Sequence, residues 1–191
     1  MKSTSYGVLF KCYNKDMQII SGIYKNKPIK SPDSVKTHPM GSREKLALFN
    51  MILPYLPSSK VLDAFAGSGA LGLEALSRGA DFVIFIENSG KVAKTIKENL
   101  TALGPVAISH AQIIVKDVLN FDADSESFDV ILADPPYDHF IIDEIAHLIP
   151  FLKKQGIMAL SHPGAAPEFP NLKLLKSHNY AAATISIYEK V

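Results

Sequence analysis

From Lys60 onward, apolar runs of strand length alternate with segments whose apolar residues recur at helical spacing. Val61–Ala64 reads as a strand, and Ala70–Arg78 as a helix closed by Gly79. Phe82–Ile86 is a continuous apolar run, as in a strand covered on both faces. Ser89 can cap a helix that turns Val92, Ile96, Leu100 and Leu103 inward. Ile113–Val115 and Phe128–Ala133 read as strands, Ile141–Leu152 as a helix and Gly156–Ser161 as a strand. Leu172–Ser177 and Thr184–Glu189 read as a closing strand pair. This alternation predicts an α/β fold: an open, mostly parallel seven-stranded sheet flanked by helices.

The first 60 residues are patterned differently. Met17–Gly22 and Ile23–Ile29 predict a small hairpin with Lys25–Lys27 at its turn. Ser31–Pro39, polar and holding two prolines, reads as a linker. Ser42 then caps a helix whose apolar stripe is Leu46, Phe49, Ile52 and Leu53, ended by Pro54 and Pro57. The organisation expected is an extension over 1–16, either disordered or an upstream mis-start, a basic hairpin and linker over 17–40, and one main domain over 41–191.

Composition narrows the chemistry. Apolar residues make up 47% of the 191 and charged residues 20%, an ordinary globular balance. No apolar run approaches the roughly 20 residues of a membrane span, and the start lacks a signal-peptide pattern. One cysteine, Cys12, leaves no internal disulfide or thiolate cluster, and the six histidines show no metal-ligand spacing. A cytoplasmic protein without a metal is expected. The net charge of +1 hides an asymmetry. Residues 1–60 hold ten Lys/Arg against three Asp/Glu, +7, and residues 61–191 hold ten against sixteen, −6. A basic front on an acidic body suits a polyanionic partner, although a solvated basic arm gives the same count.

In an open parallel sheet, ligands bind beyond the C-terminal ends of the strands. Asp63, Glu87, Asp117 and Asp134 each end or follow a strand. Asp63-Ala64-Phe65-Ala66-Gly67-Ser68-Gly69 brings a glycine turn to the first of them, and Gly67, Gly69 and Gly72 fit G-x-G-x-x-G. That spacing alone leaves a dinucleotide, or a mere tight turn, open. Asp63 argues against a pyrophosphate, which a carboxylate repels. A ligand with ribose, an ammonium and a sulfonium, and no phosphate, suits these carboxylates: S-adenosylmethionine. Its candidate residues are Asp63, Phe65, Ala66, Gly67, Ser68 and Gly69, with Glu87 and Asn88 at the ribose and Asp117 and Val118 at the adenine. Asp134-Pro135-Pro136-Tyr137 is the candidate catalytic cluster. Two prolines remove two N–H donors and leave acceptors that can hold an exocyclic amine. Tyr137 offers a face on which a base can stack.

These residues resemble the bacterial family that methylates guanine N2 in small-subunit (16S) ribosomal RNA, within the class I S-adenosylmethionine-dependent methyltransferases. Residues 63–80 match its D-x-F-A-G-S-G-x-L-G-x-E-A-L-S-R-G-A block, residues 134–137 its D-P-P-Y, and Gly22–Pro32, loosely, its basic start. The resemblance covers about residues 17–190 and implies a Rossmann-like methyltransferase domain acting on ribosomal RNA, free or within a protein-bound particle. The family's R-P-T-x-x-R-x-R-E-x-L-F-N window is altered here: His38 stands for arginine and Met40 for threonine, while Pro39, Arg43, Phe49 and Asn50 fit. Candidate phosphate-binding residues are Lys25, Lys27, Lys30, His38, Arg43 and Lys45. Alternatives are a DNA adenine or cytosine N-methyltransferase, which shares D/N-P-P-Y but ordinarily needs a larger recognition domain, and a noncatalytic RNA-binding assembly factor.

Overall fold

A computed structural model describes residues 17–32, 40–124, 127–136, 140–180 and 183–191. Two candidate site residues, His38 and Tyr137, and the extension over 1–16 lie outside the described residues. The hairpin strands are β1 (Met17–Gln18) and β2 (Pro28–Ile29), paired antiparallel. Then follow α1 (Ser42–Ile52), β3 (Lys60–Asp63), α2 (Ala70–Ser77), β4 (Phe82–Glu87), α3 (Gly90–Leu103) and α4 (Pro105–Ser109). The chain closes with β5 (Ala111–Val115), β6 (Phe128–Ala133), α5 (Ile142–Leu148), β7 (Leu152–His162), β8 (Leu172–Asn179) and β9 (Thr184–Lys190).

The main sheet has seven strands in the order β5-β4-β3-β6-β7-β9-β8. The first five run parallel, and β9 joins antiparallel to both β7 and β8. Successive strands from β3 step outward through β4 to β5, and the chain then returns to place β6 on the other side of β3. The β3–β6 boundary is therefore the switch point where such sheets open a crevice. Alternate residues of each strand feed two cores. Val61, Val83, Phe85, Val130 and Leu132 pack with Leu48, Phe49, Leu73 and Ile96 of α1–α3. Leu62, Ile84, Ile131 and Leu160 face the opposite layer, with Ile145 and Leu148 of α5 and Phe121, Phe151 and Tyr188.

Two readings of α1 need correction. Ser42 is its first helical residue, while Gly41 occupies the cap position without a side-chain hydrogen bond. The buried stripe is Lys45, Leu48, Phe49 and Ile52, whereas Leu46 and Leu53 are exposed. A lysine sits on the inward face because α2 supplies a buried partner. Glu74, fully buried, accepts from Ile20 N at 2.7 Å, Ser21 N at 3.0 Å and Arg78 Nε at 2.8 Å. Lys45 Nζ lies 3.7 Å from Glu74 Oε2 and donates to the Gln18 carbonyl at 3.0 Å. Burial holds the Lys45 ammonium below the ordinary lysine range, and Glu74 opposes that shift. Ser77 adds a second clamp: its hydroxyl accepts from Tyr24 N at 2.9 Å, and its carbonyl accepts from Ile23 N at 2.8 Å. The hairpin is thus docked on α2, with Ile19 and Ile29 in the core.

Lys45 is accordingly corrected from phosphate ligand to structural cation. Lys45→Ala is expected to lower unfolding free energy by about 1–3 kcal/mol, the cost of unpairing a buried charged partner that keeps other bonds. RNA affinity should keep the same salt slope, measured beside a denaturant titration of both proteins.

Candidate functional site

Strand register brings the candidate carboxylates together. Asp63 pairs with Phe85 and with Leu132, so Glu87 and Asp134 each stand two residues beyond an Asp63 partner. Glu87 pairs with Val115, and Asp117 stands two beyond that. Even offsets preserve the face of a pleated strand. Asp63 and Glu87 therefore share the face covered by α1–α3, at the C-terminal edge of the sheet. Asp134 follows β6 directly across the crevice from Asp63, with Pro135 buried and Pro136 exposed.

Asp63 is 1% exposed. Its Oδ2 accepts from Gly72 N, in the first turn of α2, at 2.8 Å, while its Oδ1 is buried without a hydrogen-bond partner. Burial pushes its carboxyl up to about 7. The Gly72 bond opposes the rise, and the charges of Asp134 and Glu87 add to it.

The turn from β3 to α2 is held from three sides. Ala64 N donates to Leu132 O and Ala66 N to Ile86 O, both at 2.9 Å, which fix the loop between β6 and β4. Glu87 Oε2 accepts from Gly67 N at 3.0 Å, and its Oε1 accepts from Ser89 N at 2.8 Å. Asn99 of α3 donates to Ser68 O at 2.9 Å. Gly67 has a positive φ of 52°, and a side chain added there would meet no protein atom within 4 Å: the backbone borders open space. Gly72 is required for the opposite reason, since a Cβ there would run into the Phe85 ring. It lets α2 lie directly on β4.

Phe65 is half-buried against the second core, Ala66 and Ser68 are buried, and Asn88 is exposed beside Glu87. Asp117 Oδ1 accepts from Leu119 N at 2.9 Å, capping a short 3-10 turn that buries Val118. Glu144 on α5 lies near enough for Asp117 to add to the upward shift that burial imposes on its carboxyl. Of the basic candidates, Lys25, Lys27, Lys30 and Arg43 are exposed. Lys30 Nζ is 2.6 Å from Glu98 of α3.

Two groups of working residues escaped the sequence reading. Glu74 and Ser77 lie in the long motif but hold the hairpin rather than the glycine turn, and Arg78 pairs with Glu74. Asn99 bridges the two: it exchanges hydrogen bonds with both Lys30 N and Lys30 O, at 2.9 and 3.1 Å, and also holds the Ser68 carbonyl. Its signal was a polar residue on the otherwise apolar stripe of Val92, Ile96 and Leu100. Among the described residues, no group of His, Cys, Asp and Glu could hold a metal ion, and no helix is long and apolar enough to cross a membrane.

A glycine turn after β3, carboxylates at the next strand ends and a closing antiparallel strand pair define a class I methyltransferase fold. A family model described as conserved hypothetical protein 95 matches residues 17–189, and the chain belongs to that family. Ribosomal RNA small subunit methyltransferase D of Haemophilus influenzae is 39% identical over 134 residues, 69% of this chain and 68% of its own. Bacillus subtilis YlbH, provisionally named an rRNA methyltransferase, is 34% identical over 185 residues, 91% and 99% of the two chains. The solved structure of yhhF from Escherichia coli, provisionally named a methyltransferase, superposes with a TM-score of 0.80 at 25% identity, over 92% of this chain and 98% of that one.

Proposed function

We propose that this protein transfers a methyl group from S-adenosylmethionine to the exocyclic N2 amine of a guanine in small-subunit ribosomal RNA, in the cytoplasm. The observation that carries the reading is the meeting of Asp63, Glu87 and Asp134 at the switch-point crevice, with Asp63 Oδ1 buried and lacking a donor. A buried acceptor without a partner calls for a ligand donor. Open space beside Gly67 gives a ligand access to the backbone. Both features fit S-adenosylmethionine, which supplies an electrophilic methyl group on its sulfonium when bound. Asp63 and the 65–69 loop would hold its amino-acid end, Glu87 and Asn88 its ribose, and Asp117 with Val118 its adenine. Glu87 already accepts two backbone N–H bonds, yet a carboxylate has about four lone-pair sites and can still accept from ribose hydroxyls.

Asp134 and the Pro135 carbonyl would accept the two hydrogens of the guanine amine, turning its nitrogen lone pair toward the methyl group. The Asp134 charge offsets the positive charge that develops on that nitrogen. Tyr137 would stack on the base, which must leave its own stack to arrive. The names of the relatives support ribosomal RNA as the substrate class.

Incubation with labelled cofactor and, separately, naked small-subunit rRNA, assembled small subunits and DNA tests the reading. The expected product is N2-methylguanosine from an RNA or particle sample. Label in DNA, or in none of the three, overturns it. Glu87→Ala is expected to weaken cofactor binding by roughly tenfold or more, since one charge-assisted hydrogen bond is worth about 1.5–3 kcal/mol. Calorimetric titration measures it, and unchanged affinity would reduce Glu87 to a support for Gly67.

A further inference from the structure

The acidic body carries one helix of the opposite sign. Residues 61–191 sum to −6, yet α3 holds Lys91, Lys94 and Lys97 against a single acid, Glu98. The three lysines recur every third residue and are all exposed, while Val92, Ala93, Ile96, Asn99 and Leu100 form the buried side. Residues at i and i+3 share a helix face, so the ammonium groups form a row that rises about 9 Å from first to last. None of the three makes an ion pair with a described residue.

The row is joined at both ends to parts already described. At its far end, Asn99 pins the Lys30 backbone by two hydrogen bonds, and Lys30 Nζ pairs with Glu98 at 2.6 Å. The helix's one acid thus faces the hairpin. At its near end, Lys91 stands in the first turn of α3, four residues after Glu87 at the sheet's ligand-binding edge. Hairpin and α3 form one basic face that runs from Lys30 past Lys97 and Lys94 to Lys91, beside the crevice. An intramolecular role does not account for it: a helix whose exposed lysines answer no acid gains nothing from charge pairing.

We propose that Lys91, Lys94 and Lys97 of α3 bind consecutive phosphates of the RNA substrate and continue the hairpin's phosphate contacts up to the catalytic crevice. The occupant is fixed by charge complementarity: a polyanion is attracted to this strip and repelled by the rest of the body. The inference rests on the RNA reading above and adds a surface that the basic front end alone does not supply.

The test is RNA affinity against salt concentration, with naked small-subunit rRNA as the probe. Wild type is compared with the α3 triple variant Lys91→Ala/Lys94→Ala/Lys97→Ala and with a control, Lys173→Ala/Lys176→Ala, which removes exposed lysines from β8. Three lost phosphate contacts should flatten the log–log salt slope by about 2 and weaken binding on the order of 100-fold at ~0.1 M salt. The control should keep the wild-type slope. The triple Lys→Arg variant should keep it too, since it retains the charges. Cofactor affinity, measured by calorimetry, should match wild type in all three variants, which also verifies folding. An unchanged slope in the α3 triple alanine variant, or an equal flattening in the β8 control, overturns the α3 surface while wild type still methylates RNA. If wild type methylates neither naked rRNA nor assembled small subunits and binds neither with a salt-dependent affinity, the RNA reading itself has failed.

Discussion

Asp134→Ala should lose methyl transfer while keeping cofactor affinity close to wild type. The two halves of this result follow from position. Asp134 stands beyond β6, across the crevice from the glycine turn, and the turn's own bonds come from Leu132, Ile86, Glu87 and Asn99. Removing the Asp134 side chain breaks none of them. What it removes is the acceptor and negative charge assigned to the guanine amine, whose lone pair is delocalised into the base and nucleophilic only when its hydrogens are held. Loss of one preorganised group facing developing charge costs on the order of 10²–10³ in turnover. Asp134→Asn keeps an acceptor without the charge and should lose less, about 1–3 kcal/mol of barrier stabilisation. Single-turnover methylation measures the first effect and calorimetry the second. Cofactor affinity lost together with activity would reassign Asp134 to the cofactor.

The sheet was legible because its signals are local. Phe82–Ile86 is apolar throughout and too short for a buried helix, which marks a strand covered on both faces, and a carboxylate ends or closely follows each of β3, β4, β5 and β6. The parallel register then places those carboxylates with no further information from the sequence. The helices were less legible where their faces are set by partners far along the chain. In α1, Leu46 and Lys45 compete for the inward position, and apolar spacing favours Leu46. The outcome is decided by Glu74, 29 residues on, whose burial needs a cation and two hairpin N–H groups. Glu74 and Ser77 lie in the same 63–80 block as the glycine turn, yet they bond the hairpin, and Arg78 pairs with Glu74 over the Phe49 ring, because one helix presents one face to the glycine turn and another to β1 and β2. The short helix α4 went unread: Pro105 at its start looks like a terminator of α3, and it is also a helix initiator.

Between Asp63 and Asp63→Asn, stability should respond differently to pH. The folded-state carboxyl of Asp63 titrates at about 7, against 3.8 for the ordinary aspartate. The folded protein therefore holds a proton that the unfolded chain releases across that interval. The stability from this proton is fully present below about pH 4 and is lost progressively as pH rises to about 7. The gap between 3.8 and about 7 corresponds to about 4 kcal/mol. Asn at position 63 can still accept from Gly72 N and does not titrate, so the variant should lack this decline. Every other carboxylate is common to both proteins, so the difference between their pH profiles isolates Asp63. The same coupling should govern ligand binding. A cationic cofactor beside Oδ1 favours the ionised carboxylate, so its binding should release close to one proton near pH 6 and tighten as pH rises toward 7. Calorimetry in buffers of different ionisation enthalpy counts that proton. Asp63→Asn should release none and bind more weakly at pH 7. Equal stability profiles for the two proteins, or binding without proton release in wild type, would mean that Asp63 anchors α2 through Gly72 and takes no part in holding the cofactor.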